Sequence, residues 1–199
     1  MRIAVLTSGG VDSSVSLMRL VEEGQHDLTA FYLKIWLEDE MAFLGSCPWE
    51  EDLEFVGSVC EAAGVPLEVV PLQQEYLGTV VAYALSELEA GRTPSPDVMC
   101  NRMIKFGAFV ERMENRLDLV ASGHHARVEQ RDSRFHLLRG TDPKKDQTYF
   151  LCQLRQNQLS RCLFPIGDLT KAEVREEAHR FGLANADRPD SQGICFLCL

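Results

Sequence analysis

Hydrophobic and polar residues at the start of the chain are arranged as a buried strand followed by an amphipathic helix. Residues 3–6 are a short, wholly apolar run, which is typical of a strand buried on both faces of a parallel sheet. Residues 13–23 place their apolar side chains on one broad helical face, and Gly24 is suited to end that helix. The chain is therefore predicted to begin as strand, glycine-containing loop and helix.

The same unit recurs in the residues that follow. Further strands are predicted at 28–35, 67–72 and 117–122, and further helices at 49–63, 76–89 and 101–116. Regular alternation of strand and helix predicts an α/β fold with a doubly wound, Rossmann-like parallel sheet. Ligands of such sheets bind at the carboxyl ends of the strands.

Beyond Gly123 the pattern changes, and we expect the parallel alternation to end there. Residues 127–139 combine two short alternating runs with a polar turn, which predicts a hairpin. Thr170 and Glu173 have the spacing of a capping box and predict a helix that ends before Gly182. These elements form a small appended C-terminal part of the predicted fold.

Length and composition fit one ordinary α/β domain. Of the 199 residues, 45% are hydrophobic and 25% are charged, as is usual for soluble domains. No run approaches the roughly 20 apolar residues that a membrane helix needs, and the first strand begins almost at Met1. We therefore expect no membrane partner and a cytoplasmic location, with a plastid or mitochondrial location as the alternative.

The seven cysteines are odd in number and irregularly spaced, which predicts a reducing compartment and mostly free thiols. Cys195 and Cys198 form a C-x-x-C, but no second Cys or His pair completes a zinc site with them. Four further cysteines carry no signal of chemistry and are expected to be core residues. They are Cys47, Cys60, Cys152 and Cys162.

Charge is unevenly distributed along the chain. The net charge of −10 is unusual for a protein that binds nucleic acid. Residues 1–91 have 3 Lys and Arg against 16 Asp and Glu, residues 92–145 have 11 against 7, and residues 146–199 have 6 against 7. Any contact with a nucleic-acid backbone is therefore predicted for the middle of the chain.

The loop between the first strand and the first helix, S-G-G-V-D-S-S at residues 8–14, is a candidate anion site. Its glycines let backbone N–H groups turn toward a ligand, and the helix N-terminus adds positive partial charge. The hydroxyls of Ser8, Ser13 and Ser14 can donate to phosphate oxygens. The loop is neither a Walker A loop nor a dinucleotide-binding G-x-G-x-x-G, and the alternative is a glycine-rich turn with a capping serine.

This loop resembles the PP-loop of the N-type ATP pyrophosphatases, which cleave ATP to AMP and pyrophosphate while they adenylate a substrate. The resemblance implies that the chain uses ATP with Mg²⁺, and that Asp12 helps to place the metal on the phosphates. It implies the first half-reaction only, so the acceptor substrate must be inferred from other segments.

Cys100 is a candidate nucleophile. It follows two prolines and Asp97, and it directly precedes the predicted helix at 101–116. A helix N-terminus favours the thiolate form of a cysteine, and Asp97 is close enough in sequence to serve as acid or base. The alternative is a buried structural thiol.

Five segments resemble the tRNA 2-thiouridylases, in the order of that family, and with the PP-loop they cover nearly the whole chain. They are F-Y-L-K-I-W at 31–36, P-S-P-D-V-M-C-N-R-M-I-K-F at 94–106, S-G-H-H-A-R at 122–127, K-D-Q-T-Y-F-L at 145–151 and D-S-Q-G-I-C-F at 190–196. The resemblance implies an enzyme that adenylates the C2 oxygen of the wobble uridine of tRNA and replaces it with sulfur.

The same resemblance implies roles for individual residues. Cys195 carries sulfur as a persulfide loaded by a donor protein, and Cys100 and Asp97 complete the catalytic set. Sulfur reaches C2 by direct attack of the persulfide or as sulfide released by Cys100, and either route can leave a Cys100–Cys195 disulfide. The implied ATP-binding residues are Leu6, Thr7, Ser8, Gly9, Gly10, Val11, Asp12, Ser13, Ser14, Leu33 and Gly123. The implied tRNA-binding residues are Ser95, Pro96, Asp97, His124, Lys145, Asp146 and Gln147.

The family pattern divides the chain into residues 1–140, a PP-loop ATP pyrophosphatase domain, and residues 141–199, a segment for tRNA contact and the persulfide cysteine. The family continues into a connecting domain and a C-terminal β-barrel that this sequence lacks, so we expect weak RNA binding. His125 stands where the family often has tyrosine, and Ser95 where it usually has asparagine. The alternative function is a truncated, non-thiolating protein that binds ATP or a sulfur-relay partner.

Overall fold

A five-stranded parallel sheet forms the centre of the structure, a computed structural model in which residues 1–35 and 48–190 are described. The strands in these ranges are β1 (Arg2–Thr7), β2 (Asp27–Lys34), β3 (Leu67–Pro71), β4 (Leu119–Ser122), β5 (Ala126–Arg131), β6 (Arg134–Arg139) and β7 (Cys162–Leu163). The sheet order is β3-β2-β1-β4-β7, and β5 and β6 form a separate antiparallel hairpin. The predicted doubly wound α/β fold is confirmed, and its strand order reverses between β1 and β4.

Helices cover both faces of the sheet. They are α1 (Val11–Glu23), α2 (Pro48–Ala63), α3 (73–89), α4 (96–112), α5 (Gln156–Leu159) and α6 (Lys171–Arg180). Two of them contain a π-helical stretch, Leu77–Val81 in α3 and Cys100–Ala108 in α4. A 3₁₀ turn, Thr148–Leu151, precedes α5.

The two faces of the sheet pack into two hydrophobic clusters. Alternate residues of β1 point to opposite faces, so Ala4 and Leu6 pack with α3 and α4. Ile3 and Val5 pack on the other face with α1, α2 and α6. Burial on both faces explains why residues 3–6 of β1 are all apolar rather than apolar at alternate positions.

Helix α4 begins earlier than the sequence predicts. Pro96 is its first residue, which suits proline because an N–H there would have no partner within the helix. Cys100 lies in the second turn, and its backbone N–H donates to the carbonyls of Pro96 and Asp97. The prediction that Cys100 directly precedes a helix is therefore wrong, and Asp97 is the residue that lies in the first turn.

The expectation that parallel pairing ends after Gly123 is also wrong. Strand β7 pairs in parallel with β4, but its two residues are too few to leave a recognisable strand pattern in the sequence. Both β7 and α6 lie beyond residue 140 and join the same sheet and core, while the predicted division at residue 140 stays a prediction. The predicted hairpin is confirmed, with Asp132 and Ser133 at positive φ in its two-residue turn.

The unassigned cysteines differ in exposure. Cys60 and Cys162 are core residues as predicted, and burial raises the pKa of their thiols to about 11 and about 12. Cys152 is exposed, so the expectation that it belongs to the core is wrong. Cys47 lies outside the described residues, and no helix within those residues is long and apolar enough to cross a membrane.

Candidate active site

The loop between β1 and α1 brings two glycines to the N-terminus of a 13-residue helix. Gly9 has a φ of +74°, and a Cβ there would lie 2.8 Å from the backbone oxygen of Asp52. Gly10 precedes α1 in an extended conformation, without a side-chain cap hydrogen bond. The N–H groups of the first turn of α1 are therefore available to an anion.

The serine hydroxyls of the loop hold its shape. Ser13 Oγ and Ser14 Oγ both donate to the carbonyl oxygen of Gly10, at 3.0 and 3.1 Å, and Ser13 Oγ accepts from the N–H of Ser8 at 3.2 Å. Val11, Ser13 and Ser14 are buried. Donation from the hydroxyls to phosphate, which would require them to turn away from Gly10, stays a prediction.

Asp12 lies in the first turn of α1 and faces two basic side chains. Lys171 Nζ is 2.5 Å from Asp12 Oδ1, and His125 Nε2 is 3.7 Å from the same oxygen. Burial raises the pKa of Asp12, but the interactions with His125 and Lys171 outweigh burial, and the pKa lies below its ordinary value. Asp12 is thus held as a carboxylate beside the loop, which is the kind of oxygen ligand that Mg²⁺ binds.

His125 is fully buried beside Asp12. Neither ring nitrogen has a hydrogen-bond partner within the described residues, since 3.7 Å to Asp12 is too long for a hydrogen bond. Buried polar atoms of this kind are uncommon in folded proteins. Their presence favours a site that accepts a further polar group.

Gly123 packs directly on the start of α1. A Cβ at this position would lie 2.7 Å from the backbone carbonyl carbon of Asp12 and 2.7 Å from the backbone nitrogen of Ser13. The end of β4 therefore approaches the loop as closely as a backbone can, and only glycine fits. Because β1 and β4 flank the point where the strand order reverses, this is the expected ligand site of the sheet.

Asp190 meets Asp12 through shared basic side chains. Lys171 Nζ lies 2.7 Å from Asp190 Oδ1, Arg175 Nη2 lies 3.2 Å from it, and Lys145 pairs with the other oxygen. Burial raises the pKa of Asp190, yet the hydrogen bonds from Lys145 and Lys171 lower it to about 2. We call Asp12, Lys145, Lys171, Arg175 and Asp190 the ionic cluster.

Residues 185–190 lie along the PP-loop. Asn185 Nδ2 donates to the Gly9 carbonyl at 2.8 Å and to Ser14 Oγ at 2.9 Å. Arg188 Nη1 donates to the same Gly9 carbonyl at 3.1 Å. The stretch that leads into the D-S-Q-G-I-C-F segment is therefore part of the candidate nucleotide site.

No sequence motif predicts Lys171, Asn185 or Arg188 as site residues. Each is a single polar residue that only the fold brings to the loop. Lys171 alone carries a usable signal, because it is the first residue of the helix predicted from the capping box, and helix starts in such sheets face the ligand edge.

Helix α4 carries Asp97 and Cys100 one turn apart, so both lie on the same helical face. Cys100 is only 1% exposed. The first turn of α4 packs against the turn at 148–151, which directly follows the K-D-Q residues. Of the residues with a predicted role in tRNA contact here, Ser95 is exposed and Pro96 is buried. Cys195 lies outside the described residues.

The three K-D-Q residues make contacts within the chain. Lys145 pairs with Asp190, and Asp146 accepts from the N–H and the hydroxyl of Thr148 at 3.1 and 2.6 Å. Gln147 Oε1 accepts from the backbone N–H of His125 at 2.9 Å. Their predicted contact with tRNA stays a prediction, while Lys145 and Gln147 join this segment to the site through Asp190 and His125.

His124 is buried and Leu33 is half-buried. His124 is 8% exposed, its Nδ1 lies 2.8 Å from Ser122 Oγ, and it packs on Phe106 and Phe164. Burial lowers the pKa of His124 well below its ordinary value, which leaves the ring neutral. Leu33, near the end of β2, is half-buried against the core, and the predicted contacts of both residues stay predictions.

The family described as the tRNA methyl transferase HUP domain matches residues 1–198. The tRNA-specific 2-thiouridylase MnmA of Geobacillus thermodenitrificans (strain NG80-2) is 51% identical over 197 residues, which are 98% of this chain and 52% of that protein. The protein of the same name from Akkermansia muciniphila is 47% identical over 98% of this chain and 55% of its own length. This chain thus spans about half the length of these relatives.

A solved structure with the same fold is that of the U34-tRNA thiolase NcsA from Methanococcus maripaludis. It superposes with a TM-score of 0.59 and covers 100% of this chain and 61% of its own. Because the two sequences are only 21% identical, this likeness shows the fold alone.

Proposed function

This chain belongs to the tRNA methyl transferase HUP-domain family of the tRNA-specific 2-thiouridylases, and we propose that it uses ATP to replace the C2 oxygen of the wobble uridine with sulfur. The ionic cluster at the N-terminus of α1 is the observation that carries the proposal. Three basic side chains and the carboxylates of Asp12 and Asp190 meet there at the ligand edge of the sheet, where ATP with Mg²⁺ would find both positive charge and an oxygen ligand for the metal. A cytoplasmic location is part of the proposal.

In the first step, the C2 oxygen of uridine attacks the α-phosphorus of ATP, and pyrophosphate leaves. The helix N-terminus and Lys171 supply positive charge to the leaving group, on which negative charge develops. Asp12 offers a carboxylate oxygen to Mg²⁺, and the metal supplies further neutralisation of the phosphates. We assign to Asp97 the proton that N3 of the base loses when its oxygen is adenylated.

In the second step, the terminal sulfur of the Cys195 persulfide attacks C2, and AMP leaves with the former C2 oxygen. The Cys100 thiolate then attacks the inner sulfur, which breaks the sulfur–sulfur bond, frees 2-thiouridine and forms a Cys100–Cys195 disulfide. In the alternative route Cys100 attacks the persulfide first, and the released sulfide attacks C2. Both routes need a thiol reductant and a persulfide donor protein before the next turnover.

The position of Asp190 supports the approach of the two cysteines. Asp190 is held at the PP-loop side by Lys171, and also by Lys145, whose segment leads into the turn that packs on α4. Five residues along the chain lead from Asp190 to Cys195, and five residues span at most about 18 Å. Chain connectivity therefore allows residue 195 to lie no further than about 18 Å from Asp190, which is compatible with the proposed meeting of the two thiols.

Replacement of the persulfide cysteine tests the function. Cys195→Ser is expected to abolish 2-thiouridine formation and to leave ATP binding unchanged, because the thiol carries sulfur and not nucleotide. The assay combines unmodified tRNA, ATP, Mg²⁺ and a persulfide donor, with mass spectrometry of the nucleosides. Cys152→Ser, which alters an exposed thiol, is the matched control and should retain both activities. Formation of 2-thiouridine by Cys195→Ser would reject the proposal.

A second candidate is a non-thiolating protein that binds ATP or relays sulfur, since the ionic cluster accounts for nucleotide binding and not for thiolation. The same assay separates the two functions. ATP binding and persulfide loading without 2-thiouridine in the unaltered chain would support this second candidate.

A further inference from the structure

One lysine is shared between the PP-loop and the residue that begins the persulfide motif. Lys171 Nζ contacts Asp12 at 2.5 Å and Asp190 at 2.7 Å, and its side chain is only 14% exposed. Lys145 and Arg175 bind the same Asp190 carboxylate. Three basic side chains on one carboxylate is the arrangement by which proteins bind a phosphate group.

Hydrogen bonds to one carboxylate hold the backbone at both Lys145 and Lys171. Asp142, which is 7% exposed, accepts from the backbone N–H of Lys171 at 2.8 Å and from those of Lys144 and Lys145 at 2.7 and 3.2 Å. This one carboxylate therefore joins the start of α6 to the K-D-Q segment. The basic groups around Asp190 are thus held in place before any ligand arrives, which is how binding sites for anions are preorganised.

The ionic cluster is also open to solvent on one side. The side chain of Asp190 is 21% exposed and that of Lys145 is 38% exposed, whereas Lys171 is covered. Solvent weakens an ion pair that is partly exposed, so replacing one partner costs less free energy than in a fully buried pair. A multiply charged anion that entered from the open side could therefore replace a single carboxylate.

We propose that Lys145, Lys171 and Arg175 form the outer half of a polyphosphate site, which Asp190 occupies as an internal carboxylate until the phosphates of a nucleotide displace it. The inference rests on the proposed function in taking ATP as the ligand. The N-terminus of α1 forms the inner half of this site, and Lys171 turns from Asp190 to the phosphates on binding.

Displacement of Asp190 would link the nucleotide site to the sulfur-carrying stretch of the chain. Asn185 and Arg188 stay bound to Gly9, so the chain remains attached to the PP-loop up to residue 188. Only the last attachment, at Asp190, is released. Nucleotide binding would then free residue 190, the first residue of the D-S-Q-G-I-C-F segment, before the step that requires sulfur.

The test is a measurement of ATP affinity by calorimetry, with Mg²⁺ and without tRNA. Asp190→Asn is expected to bind ATP about fivefold more tightly, because the internal competitor loses its charge. Asp187→Asn is the matched control: its carboxylate is 91% exposed and pairs with His179 outside the cluster, so affinity should not change. Unchanged or weaker binding by Asp190→Asn would overturn the inference.

Replacement of the shared lysine gives a second arm. Lys171→Met is expected to bind ATP at least about tenfold more weakly. Lys144→Met, which alters the exposed lysine next to Lys145, is the control and should bind ATP as the unaltered chain does. In the double variant Lys171→Met/Asp190→Asn, most of the gain from Asp190→Asn should disappear, because the two residues act through one contact. Additive effects would contradict the competition, and thermal unfolding establishes that each variant is folded.

Amide hydrogen exchange reports whether the chain near Asp190 is released, which a measurement of ATP affinity does not. In the unaltered chain, ATP should slow amide exchange in the PP-loop and speed it in peptides that end at residue 190, whereas slower exchange in both would overturn the inference.

The results distinguish failure of this inference from failure of the proposed function. If the unaltered chain binds no ATP, the proposed function and this inference both fall. If ATP binds but Asp190→Asn does not bind it more tightly, this inference alone falls. If ATP binding follows the prediction but no 2-thiouridine forms, thiolation alone falls.

Discussion

At the scale of single residues, Gly123 sets the strictest limit on the shape of the nucleotide site. A Cβ there would lie 2.7 Å from backbone atoms of Asp12 and Ser13, which cannot move aside as a flexible side chain could. We predict that Gly123→Ala lowers the free energy of unfolding by about 1–3 kcal/mol and weakens ATP binding. In Gly57→Ala, within α2, the new Cβ would have no atom within 4 Å, and stability should be unchanged or rise by about 0.5–1 kcal/mol. Urea unfolding of both variants checks this, and equal effects would contradict it.

The ion pairs of Asp190 predict a pH dependence with a defined sign. Its folded pKa of about 2 lies below the ordinary value of 3.8, so its contribution to stability is present above about pH 3.8 and is lost as the pH falls toward 2. The charged groups that face it are Lys145, Lys171 and Arg175. Asp190→Asn should therefore lower the free energy of unfolding at about pH 5, with a difference from the unaltered chain that vanishes near pH 2. Chemical unfolding as a function of pH measures this difference, and a constant difference would contradict the prediction.

Residues that lie in a motif were predictable from the sequence, and isolated residues were not. The PP-loop is recognised because its glycines fit a turn that precedes a helix, Gly123 was implied by the family resemblance, and the structure brings the two together. Lys171 and Asn185 reach the loop across 159 and 176 positions of sequence. Such contacts depend on the packing of whole elements, so no local pattern predicts Asn185, and the capping box predicts only that Lys171 begins a helix.

At the scale of elements, α4 departs furthest from its predicted form. Its π-helical stretch begins at Cys100, and Gln158 Nε2 donates to the carbonyls of Arg102 and Phe106 at 2.9 Å each. Gly107 lets the Arg102 carbonyl approach, since a Cβ there would lie 2.7 Å from that oxygen. The glutamine comes from a different helix, so an irregular helix of this kind is not predictable from its own residues.

Removal of that glutamine tests its role. Gln158→Leu keeps the size of the side chain but removes both donated hydrogen bonds, and we predict a loss of about 1–3 kcal/mol in the free energy of unfolding. Asn157→Ala, at an exposed position of the same short helix, is the control and should change stability little. An equally small effect of Gln158→Leu on urea unfolding would show that the π-helical stretch does not depend on this bridge.

Helices and strands were predicted well where the element was long enough to show a repeating hydrophobic pattern. β1 and α1 appear within two residues of their predicted bounds, because both are buried on faces that the sequence marks clearly. β7 has two residues and α5 has four, so neither produces a period. The start of α4 was predicted too late because a proline in the sequence indicates a loop, whereas in the structure Pro96 is the first residue of the helix.

At the scale of the whole molecule, sheet topology explains how distant motifs form one site. β1 and β4 are neighbours in the sheet although more than a hundred residues separate them, and their carboxyl ends carry the PP-loop and Gly123. The K-D-Q segment and residues 185–190 return to the same edge and join it through the ionic cluster. Topology therefore supplies a nucleotide site, and the start of α4 adds Asp97 and Cys100 to its surroundings.

The central claim is that the sulfurs of residues 100 and 195 act at one place, and mild oxidation of the ATP-bound chain tests it most directly. In a Cys198→Ser variant, residue 195 can pair with other thiols, and exposure alone would favour Cys152 over Cys100, which is 1% exposed. We predict that peptide mass spectrometry finds Cys195 joined mainly to Cys100. Pairing mainly with Cys152, with Cys100 unmodified in a chain that still binds ATP, would contradict the claim.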